Sequence, residues 1–334
     1  MNGSVNVLRR TILAALLCAL PLAPAASQPA SNDAANYPNR SIRIVVPFPA
    51  GGPSDVLARF IAQKLSEDWS QPVVVENRVG ANTVIGAQAV AKSPADGYTL
   101  LMAIDSTLTM NQYLYNNLPY DPINDFVPIT EVAKTMLLLI VNASSDVKTV
   151  KDLIAKAKAQ PGKLNYGAGT ITTQLSGYLF NKAAGTEAVL VRYNGSAQVA
   201  QGLLTRSVDY VIDGTSAALP LIQDGRFRAL AKFDRRPFPP VPDLPLLATA
   251  GDLRNFDELT VWLGLVAPKG TPQAIVDKLQ KQIAQVLADP GVKTKTDAAG
   301  LFPATSTPAE FGAFIRKEAE RWAPVVKETG IKYD

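Results

Sequence analysis

Short apolar runs alternate with amphipathic segments along most of the chain, and this alternation predicts the fold. Apolar residues three and four positions apart predict helices over residues 54–67 and 82–92. Strands that alternate with helices indicate an α/β fold, in which a mostly parallel sheet is flanked by helices. The runs with the length and residue content of buried strands are 42–46, 73–76, 99–103 and 136–141.

The junction between the first strand and its helix predicts a site for a small anion. Gly51 and Gly52 carry no side chains, so the backbone there can approach a ligand, and the free amides of the following helix point toward it. Ser54 or Gly52 would cap that helix. The junction lacks the Lys-Ser/Thr pair of phosphate loops and the third glycine of dinucleotide-binding turns, which makes a nucleotide an unfavoured ligand. A tight turn without any ligand is the alternative.

The middle of the chain repeats this strand-to-helix junction three times. Strands predicted over 163–166, 188–193 and 208–212 are each followed by glycine and hydroxyl residues before a helix. Because the carboxyl ends of parallel strands meet at one edge of a sheet, these junctions are expected to converge on one ligand crevice. The junction residues are Gly167 to Thr170, Asn194 to Ser196 and Asp213 to Ser216.

The first 27 residues have the pattern of a secretory signal peptide. Arg9 and Arg10 precede an apolar run over 12–22, and small residues follow it. We therefore expect an exported mature protein. Cys18 is the only cysteine, so we expect no disulfide, and Leu17 stands before it where a lipoprotein signal would have a small residue, so we expect no lipid anchor. Removal of both arginines leaves 31 basic against 29 acidic residues. This near-neutral charge, spread along the chain, argues against nucleic-acid binding. We also expect the protein to be a monomer.

The chain has no histidine, and this absence excludes much of enzyme chemistry. Catalytic triads with histidine, zinc sites of the usual kind and haem ligation all need that residue, and thiol catalysis needs a cysteine in the mature chain. The carboxylate and lysine residues show no clustered catalytic pattern. We expect no metal and no cofactor.

Six segments, in order along the chain, resemble the substrate-binding proteins of tripartite tricarboxylate transporters, the Bug family. The resemblance implies a two-lobed periplasmic binding protein of type II-like α/β fold, which catalyses nothing. It implies lobe 1 over 38–137 plus 262–334, lobe 2 over 138–261, and a cleft between them for a small organic carboxylate. Two membrane permease subunits would receive the ligand. The segments are 46–55, 73–78, 94–101, 118–122, 161–166 and 306–311.

The resemblance also implies which residues bind the ligand, through backbone amides, hydroxyl groups and bridging waters. They lie in five loops that follow strands. The expected ligand-binding residues are Phe48, Ala50, Gly51, Gly52, Ser54, Asp55, Asp105, Ser106, Thr107, Gly167, Gly169, Thr170, Thr172, Gln174, Arg192, Tyr193, Asn194, Gly195, Asp213 and Thr215.

Several positions depart from the usual pattern of this family. Gln174 stands where a histidine is common, and residues 79–83 replace a Pro-Gly-Ala-Gly-Gly segment. Arg192 would pair with a second carboxylate of the ligand, and Asp105 would select an amine, if they face the cleft. A solvated surface charge is the alternative for each.

Two other functions are compatible with the sequence. The same fold would serve a sensor kinase in place of a permease. A secreted hydrolase would need a pair of carboxylates in the cleft, for which Asp55, Asp105 and Asp213 are the candidates.

Overall fold

A single mixed sheet organises the part of the chain that the computed structural model describes, which comprises residues 34–253, 256, 259–298 and 300–333. The signal-peptide prediction for residues 1–27 lies outside these residues. The strands are β1 (Ile42–Val46), β2 (Val73–Asn77), β3 (Thr99–Ile104), β4 (Phe126–Asn142), β5 (Leu164–Ala168), β6 (Ala188–Arg192), β7 (Tyr210–Gly214), β8 (Phe227–Lys232), β9 (Thr260–Pro268) and β10 (Leu301–Pro303).

Helices connect most of the strands and cover the sheet. They are α1 (Pro53–Trp69), α2 (Val84–Ala91), α3 (Asp105–Thr109), α4 (Asn111–Leu114), α5 (Val150–Ala159), α6 (Ile171–Ala184), α7 (Ser196–Leu204), α8 (Thr215–Gln223), α9 (Leu247–Ala250), α10 (Gln273–Ala288), α11 (Pro290–Ala298) and α12 (Pro308–Thr329).

The same strand order occurs twice in the sheet. β2, β1 and β3 lie side by side and run parallel, and so do β6, β5 and β7. The third strand of each set then pairs antiparallel with a longer strand, β3 with β9 and β7 with β4. The parallel strands predicted from the sequence are therefore present in both sets, and the two long strands make the whole sheet mixed.

Strand β4 takes part in both sets. Its residues Phe126–Met136 pair with β9, whereas Leu137–Asn142 pair with β7 and β8. We call β1, β2, β3, β9, β10 and the first part of β4 the first half of the sheet, and the remaining strands the second half. The lobe boundaries implied by the family resemblance stay a prediction.

Burial explains why the central strands read as continuous apolar runs. All six residues of β3 are buried, and so is the stretch Met136 to Val141 of β4. A strand covered by helices on both faces has no polar side, so its sequence does not alternate. The edge strands β2 and β6 are only partly buried. Trp262, on β9, is completely buried and packs against Phe311 and Phe314.

Candidate functional site

A cleft of about 330 Å³ lies at the carboxyl ends of β1, β5, β6 and β7. Both halves of the sheet line it: the β1–α1 loop comes from the first half, and the starts of α7 and α8 come from the second. A smaller hollow of about 90 Å³ shares Phe48, Pro49, Thr170, Asn194 and Gly195 with the cleft and extends it. The combined space is of the size that small metabolites occupy in binding proteins.

Three helices begin at this cleft with a glycine as the N-cap residue. Gly52 precedes α1, Gly195 precedes α7 and Gly214 precedes α8, and none of these starts has a hydrogen bond from a capping side chain. All three glycines line the cleft. The first amides of a helix have no acceptor within the helix and carry the positive end of its dipole. Three such starts around one cavity offer backbone donors and a positive potential that favour an anion, although Pro53, the first residue of α1, has no amide hydrogen to donate.

The start of α6 differs from these three. Thr170 caps it with its own hydroxyl, which accepts a hydrogen bond from the amide of Thr173, while the Thr173 hydroxyl accepts one from the amide of Thr170. This capping box satisfies the amides locally. The two threonines therefore offer the cleft hydroxyl groups, and α6 contributes less to an anion than the glycine-capped helices do.

Asp55 shapes the β1–α1 loop from behind the cleft. Its buried carboxylate accepts hydrogen bonds from the Gly51 amide at 2.9 Å, from Asn77 Nδ2 at 2.8 Å, and from Arg59 Nε and Nη2 at 2.9 and 3.0 Å. Burial alone would raise the pKa of this carboxyl, but the hydrogen bonds from Arg59, Gly51 and Asn77 outweigh it and the pKa is lowered. Gly51, at φ +82°, meets no atom that would exclude a Cβ, so its left-handed backbone is what requires glycine.

Asp213 is the one carboxyl among the residues described around the cleft. It is buried, and its Oδ1 accepts hydrogen bonds from Ser196 Oγ and from the Gly214 amide, both at 2.8 Å. Burial raises the pKa of Asp213 to about 6, although these two hydrogen bonds oppose the rise. The group therefore changes charge close to neutral pH, beside two of the glycine-capped helix starts.

Asp105 joins the two halves of the sheet outside the cleft. Its Oδ1 accepts a 2.7 Å hydrogen bond from Thr172 Oγ1 on α6 and one from the Ser106 amide, whereas its Oδ2 is buried without a hydrogen bond. Burial raises the pKa of this carboxyl to about 7, and the nearby charge of Glu318 contributes to the rise.

Gln174 and Arg192 both contact Tyr333, near the end of the chain. The Tyr333 hydroxyl donates to Gln174 Oε1 at 3.1 Å, and the Arg192 guanidinium lies 5.1 Å from the centre of the Tyr333 ring. Tyr333 in turn pairs with Tyr115 of the first half. Neither Gln174 nor Arg192 is among the residues that line the cleft.

The predicted binding residues thus divide into two groups. Those that line the cleft or its extension are Phe48, Ala50, Gly51, Gly52, Ser54, Ser106, Gly169, Thr170, Tyr193, Asn194, Gly195 and Asp213. Those outside its lining are Asp55, Asp105, Thr107, Gly167, Thr172, Gln174, Arg192 and Thr215. Whether any of them binds a ligand stays a prediction.

The cleft also has lining residues that the sequence did not single out. They come from strands that are far apart in the chain, and only the strand register brings them together. They are Thr135, Val261, Leu263 and Leu301, with Ala217 from α8.

The charges around the cleft limit its chemistry. Among the residues described as lining it, none is lysine or arginine. Nowhere in the described part of the chain do three or more metal-ligating side chains cluster. Positive potential in the cleft therefore comes from backbone amides.

The helices of the described residues include none with the length and apolar character needed to cross a membrane.

Comparison with known proteins gives consistent matches over nearly the whole chain. The family model described as Tripartite tricarboxylate transporter family receptor matches residues 57–331. Protein BugT of Bordetella pertussis is 37% identical over 301 residues, which cover 89% of this chain and 91% of BugT. The solved structure of R. palustris Rpa4515 with adipate is 36% identical, with a TM-score of 0.83 over 89% of this chain and 99% of that one.

The structure of the periplasmic binding protein BugD also superposes on most of this chain. It is 31% identical and superposes with a TM-score of 0.81 over 89% of this chain and 100% of that one. These superpositions confirm the α/β fold of a periplasmic binding protein that the sequence predicted.

Proposed function

The chain belongs to the tripartite tricarboxylate transporter receptor family, and from this premise we propose that it captures a small organic carboxylate and delivers it to the two permease subunits of such a transporter. Export to the periplasm would use residues 1–27 as a signal peptide. The relative Rpa4515 was solved with adipate, a dicarboxylate, and BugD is a periplasmic binding protein. The first relative supports a carboxylate ligand here, and the second supports a periplasmic location.

The observation that carries this proposal is the set of three glycine-capped helix starts around one cleft. Their amides can donate to a carboxylate, and their dipoles favour its negative charge. Glycine at each N-cap leaves the amides free of the capping side chain that most helices have. The donors of the proposed anion site are therefore backbone amides, and no lysine or arginine is among the residues described as lining the cleft.

The two halves of the sheet would act as two lobes, with β4 and β9 as the crossing segments. Gly52 belongs to the first half, while Gly195 and Gly214 belong to the second, so an anion held by all three would draw the halves together. A ligand that binds the closed arrangement better shifts the population toward it. The closed surface is then what the permease would recognise.

Binding without turnover fits the carboxyl groups of the cleft better than hydrolysis does. A hydrolase would need two carboxylates facing the ligand. Asp213 lines the cleft, but Asp55 is held by Arg59 and Asn77 behind the loop, and Asp105 is buried against Thr172. The three carboxyls of the hydrolase hypothesis therefore do not form a pair.

A thermal-shift screen of protein purified from the periplasm tests the proposal. The probes are succinate, adipate, citrate, benzoate and aspartate, with the neutral amides of adipate and benzoate as controls. A ligand at a hundred times its dissociation constant stabilises the folded state by about 2.7 kcal/mol. We expect at least one acid to raise the melting temperature and its amide to have no effect. No shift with any acid would contradict the proposal.

Uptake in cells distinguishes transport from sensing. Deletion of the gene is expected to abolish uptake of the identified acid, and expression of the protein in the periplasm is expected to restore it. Normal uptake together with loss of a transcriptional response to the acid would instead favour the sensor-kinase alternative.

A further inference from the structure

The floor of the cleft is a patch of the sheet made almost entirely of aliphatic side chains. Ile104 of β3 is the register partner of Leu263 of β9, and Val261 lies two residues before Leu263 on the same strand. Val261 is the partner of Thr135 on β4, which is the partner of Leu301 on β10. Register partners, and residues two apart on a strand, share a face. All five line the cleft, and four of them are aliphatic.

The single polar side chain of this floor is occupied. Thr135 Oγ1 lies 3.1 Å from Thr215 Oγ1 and 3.5 Å from the carbonyl oxygen of Gly300. The hydroxyl of Thr135 therefore has hydrogen-bonding partners within the protein. Val56 of α1 and Phe48 of the β1–α1 loop extend the apolar lining on the side of the first half. A ligand on this floor therefore meets carbon atoms and not polar groups.

The positive potential of the cleft is limited in amount. Each helix start is equivalent to roughly half a positive charge, so three of them compensate between one and two negative charges. Asp213 adds negative charge to the same space when it is ionised. A compact tricarboxylate would bring three charges and no apolar surface. Part of its negative charge would not be compensated by the helix starts, and the aliphatic floor would have no apolar group of the ligand to contact.

We propose, resting on the carboxylate capture proposed above, that the cleft selects acids of one or two negative charges with an apolar body that lies on this floor. The body is an alkyl chain or an aromatic ring, and the acid group lies at the glycine-capped helix starts. Compact polyanions such as citrate are discriminated against by both features.

Calorimetric titration with two series of acids tests the selection. The first series is butyrate, hexanoate and octanoate, and the second is succinate, adipate and suberate, with benzoate as the aromatic probe and citrate as the polyanion. Each buried methylene is expected to tighten binding roughly threefold to fourfold until the floor is covered. Adipate is expected to bind at least about tenfold more tightly than citrate. Benzoate tighter than octanoate would identify the ring as the preferred body.

A matched pair of variants tests whether the preference for apolar ligands depends on the aliphatic floor. Val261→Thr keeps the side-chain shape and replaces one methyl group by a hydroxyl, which should weaken hexanoate or benzoate binding about tenfold and leave succinate binding nearly unchanged. Val45→Thr makes the same change at a buried position of β1 outside the cleft lining, and should leave all affinities unchanged. The titrations of the unmodified protein decide the proposal even if either variant folds poorly.

The failures of the two proposals are distinguishable. Citrate binding as tight as adipate binding, or affinity that does not depend on chain length, overturns the selection while carboxylate capture stands. Absence of binding by every acid overturns both.

Discussion

The two walls of the cleft have the same strand order but differ in the side chains that they offer a ligand. The wall from the first half offers the aliphatic floor and one glycine-capped helix, α1. The wall from the second half offers two glycine-capped helices, α7 and α8, together with the serine and threonine hydroxyls beside them. The comparison teaches that strand order fixes where loops meet, while loop residues decide what each wall recognises. In our account both walls hold the charge of the ligand, through α1 on one side and α7 and α8 on the other, and the first wall alone binds its apolar body.

The carboxyls of the two walls show the same division. Asp55, behind the first wall, accepts four hydrogen bonds, two of them from Arg59, and its pKa is lowered. Asp213, in the second wall, accepts two hydrogen bonds from neutral groups, and burial raises its pKa to about 6. The first carboxylate stays ionised to hold a loop, whereas the second is able to respond to pH and to a bound anion.

The largest expected effect comes from filling the anion position of the first wall. In Gly52→Asp the new carboxylate caps α1 itself and repels a bound acid, so affinity should fall about a hundredfold or more while the fold is retained. Gly52→Ala is the control, because φ is −77° there and a Cβ meets only the Pro49 carbonyl oxygen at 3.5 Å. Calorimetry of both variants measures the difference. Equal affinities in the two would remove α1 from the site.

The pH dependence of stability tests the contact between Asp105 and Thr172, which joins the two halves of the sheet. The pKa of Asp105 is raised to about 7, so the folded protein holds a proton between about pH 4 and 7 that the unfolded chain releases, and stability falls as pH rises through that range. From pH 5 to pH 8, the ionisation of Asp105 should lower the free energy of unfolding by about 2–3 kcal/mol. Urea unfolding of Asp105→Asn at both pH values should show a correspondingly smaller loss. An identical pH dependence in variant and unmodified protein would contradict this assignment.

Gly169→Ala disturbs the second wall alone. A Cβ at this position would lie 2.7 Å from the carbonyl carbon of Gly195, so the loops that precede α6 and α7 must move apart. We expect about tenfold weaker binding of the acid and an unfolding free energy lower by roughly 1–3 kcal/mol. Gly52→Ala, which adds a Cβ without a close contact, is again the control. Unchanged affinity in Gly169→Ala would show that the spacing of these two loops does not matter for binding.

The smallest expected effect is the pH dependence of binding. Asp213 is ionised above its pKa of about 6 and then opposes an anion, so acids that stay ionised should bind roughly threefold to tenfold more tightly at pH 5.5 than at pH 8. Tyr193 of the cleft extension is the other titratable residue among those described as lining the space. Titration of Asp213→Asn should give a nearly flat profile. A flat profile in the unmodified protein would place the acid away from Asp213.

The sequence predicted the parts of the molecule that depend on local pattern. The strands at 42–46 and 99–103 and the helix over 54–67 were recognisable from apolar spacing, and they are confirmed as β1, β3 and α1 with small shifts at their ends. The glycine junctions that converge at the cleft followed from the rule that parallel strands end at one edge.

What the sequence could not predict depends on contacts between distant segments. Asp55 turns away from the cleft because Asn77, on the neighbouring strand, and Arg59, one helical turn further on, hold it. Arg192 lies over Tyr333, a residue more than a hundred positions later in the chain. The aliphatic floor exists only in the register of four strands, and no single segment of sequence shows it.

The central claim is that backbone amides at glycine-capped helix starts hold the acid. A crystal structure with the tightest-binding acid of the screen measures this directly. We predict a carboxylate within hydrogen-bonding distance of first-turn amides from at least two of α1, α7 and α8, and the rest of the molecule on the aliphatic floor. A carboxylate paired with an arginine or lysine side chain, away from all three helix starts, would contradict the account.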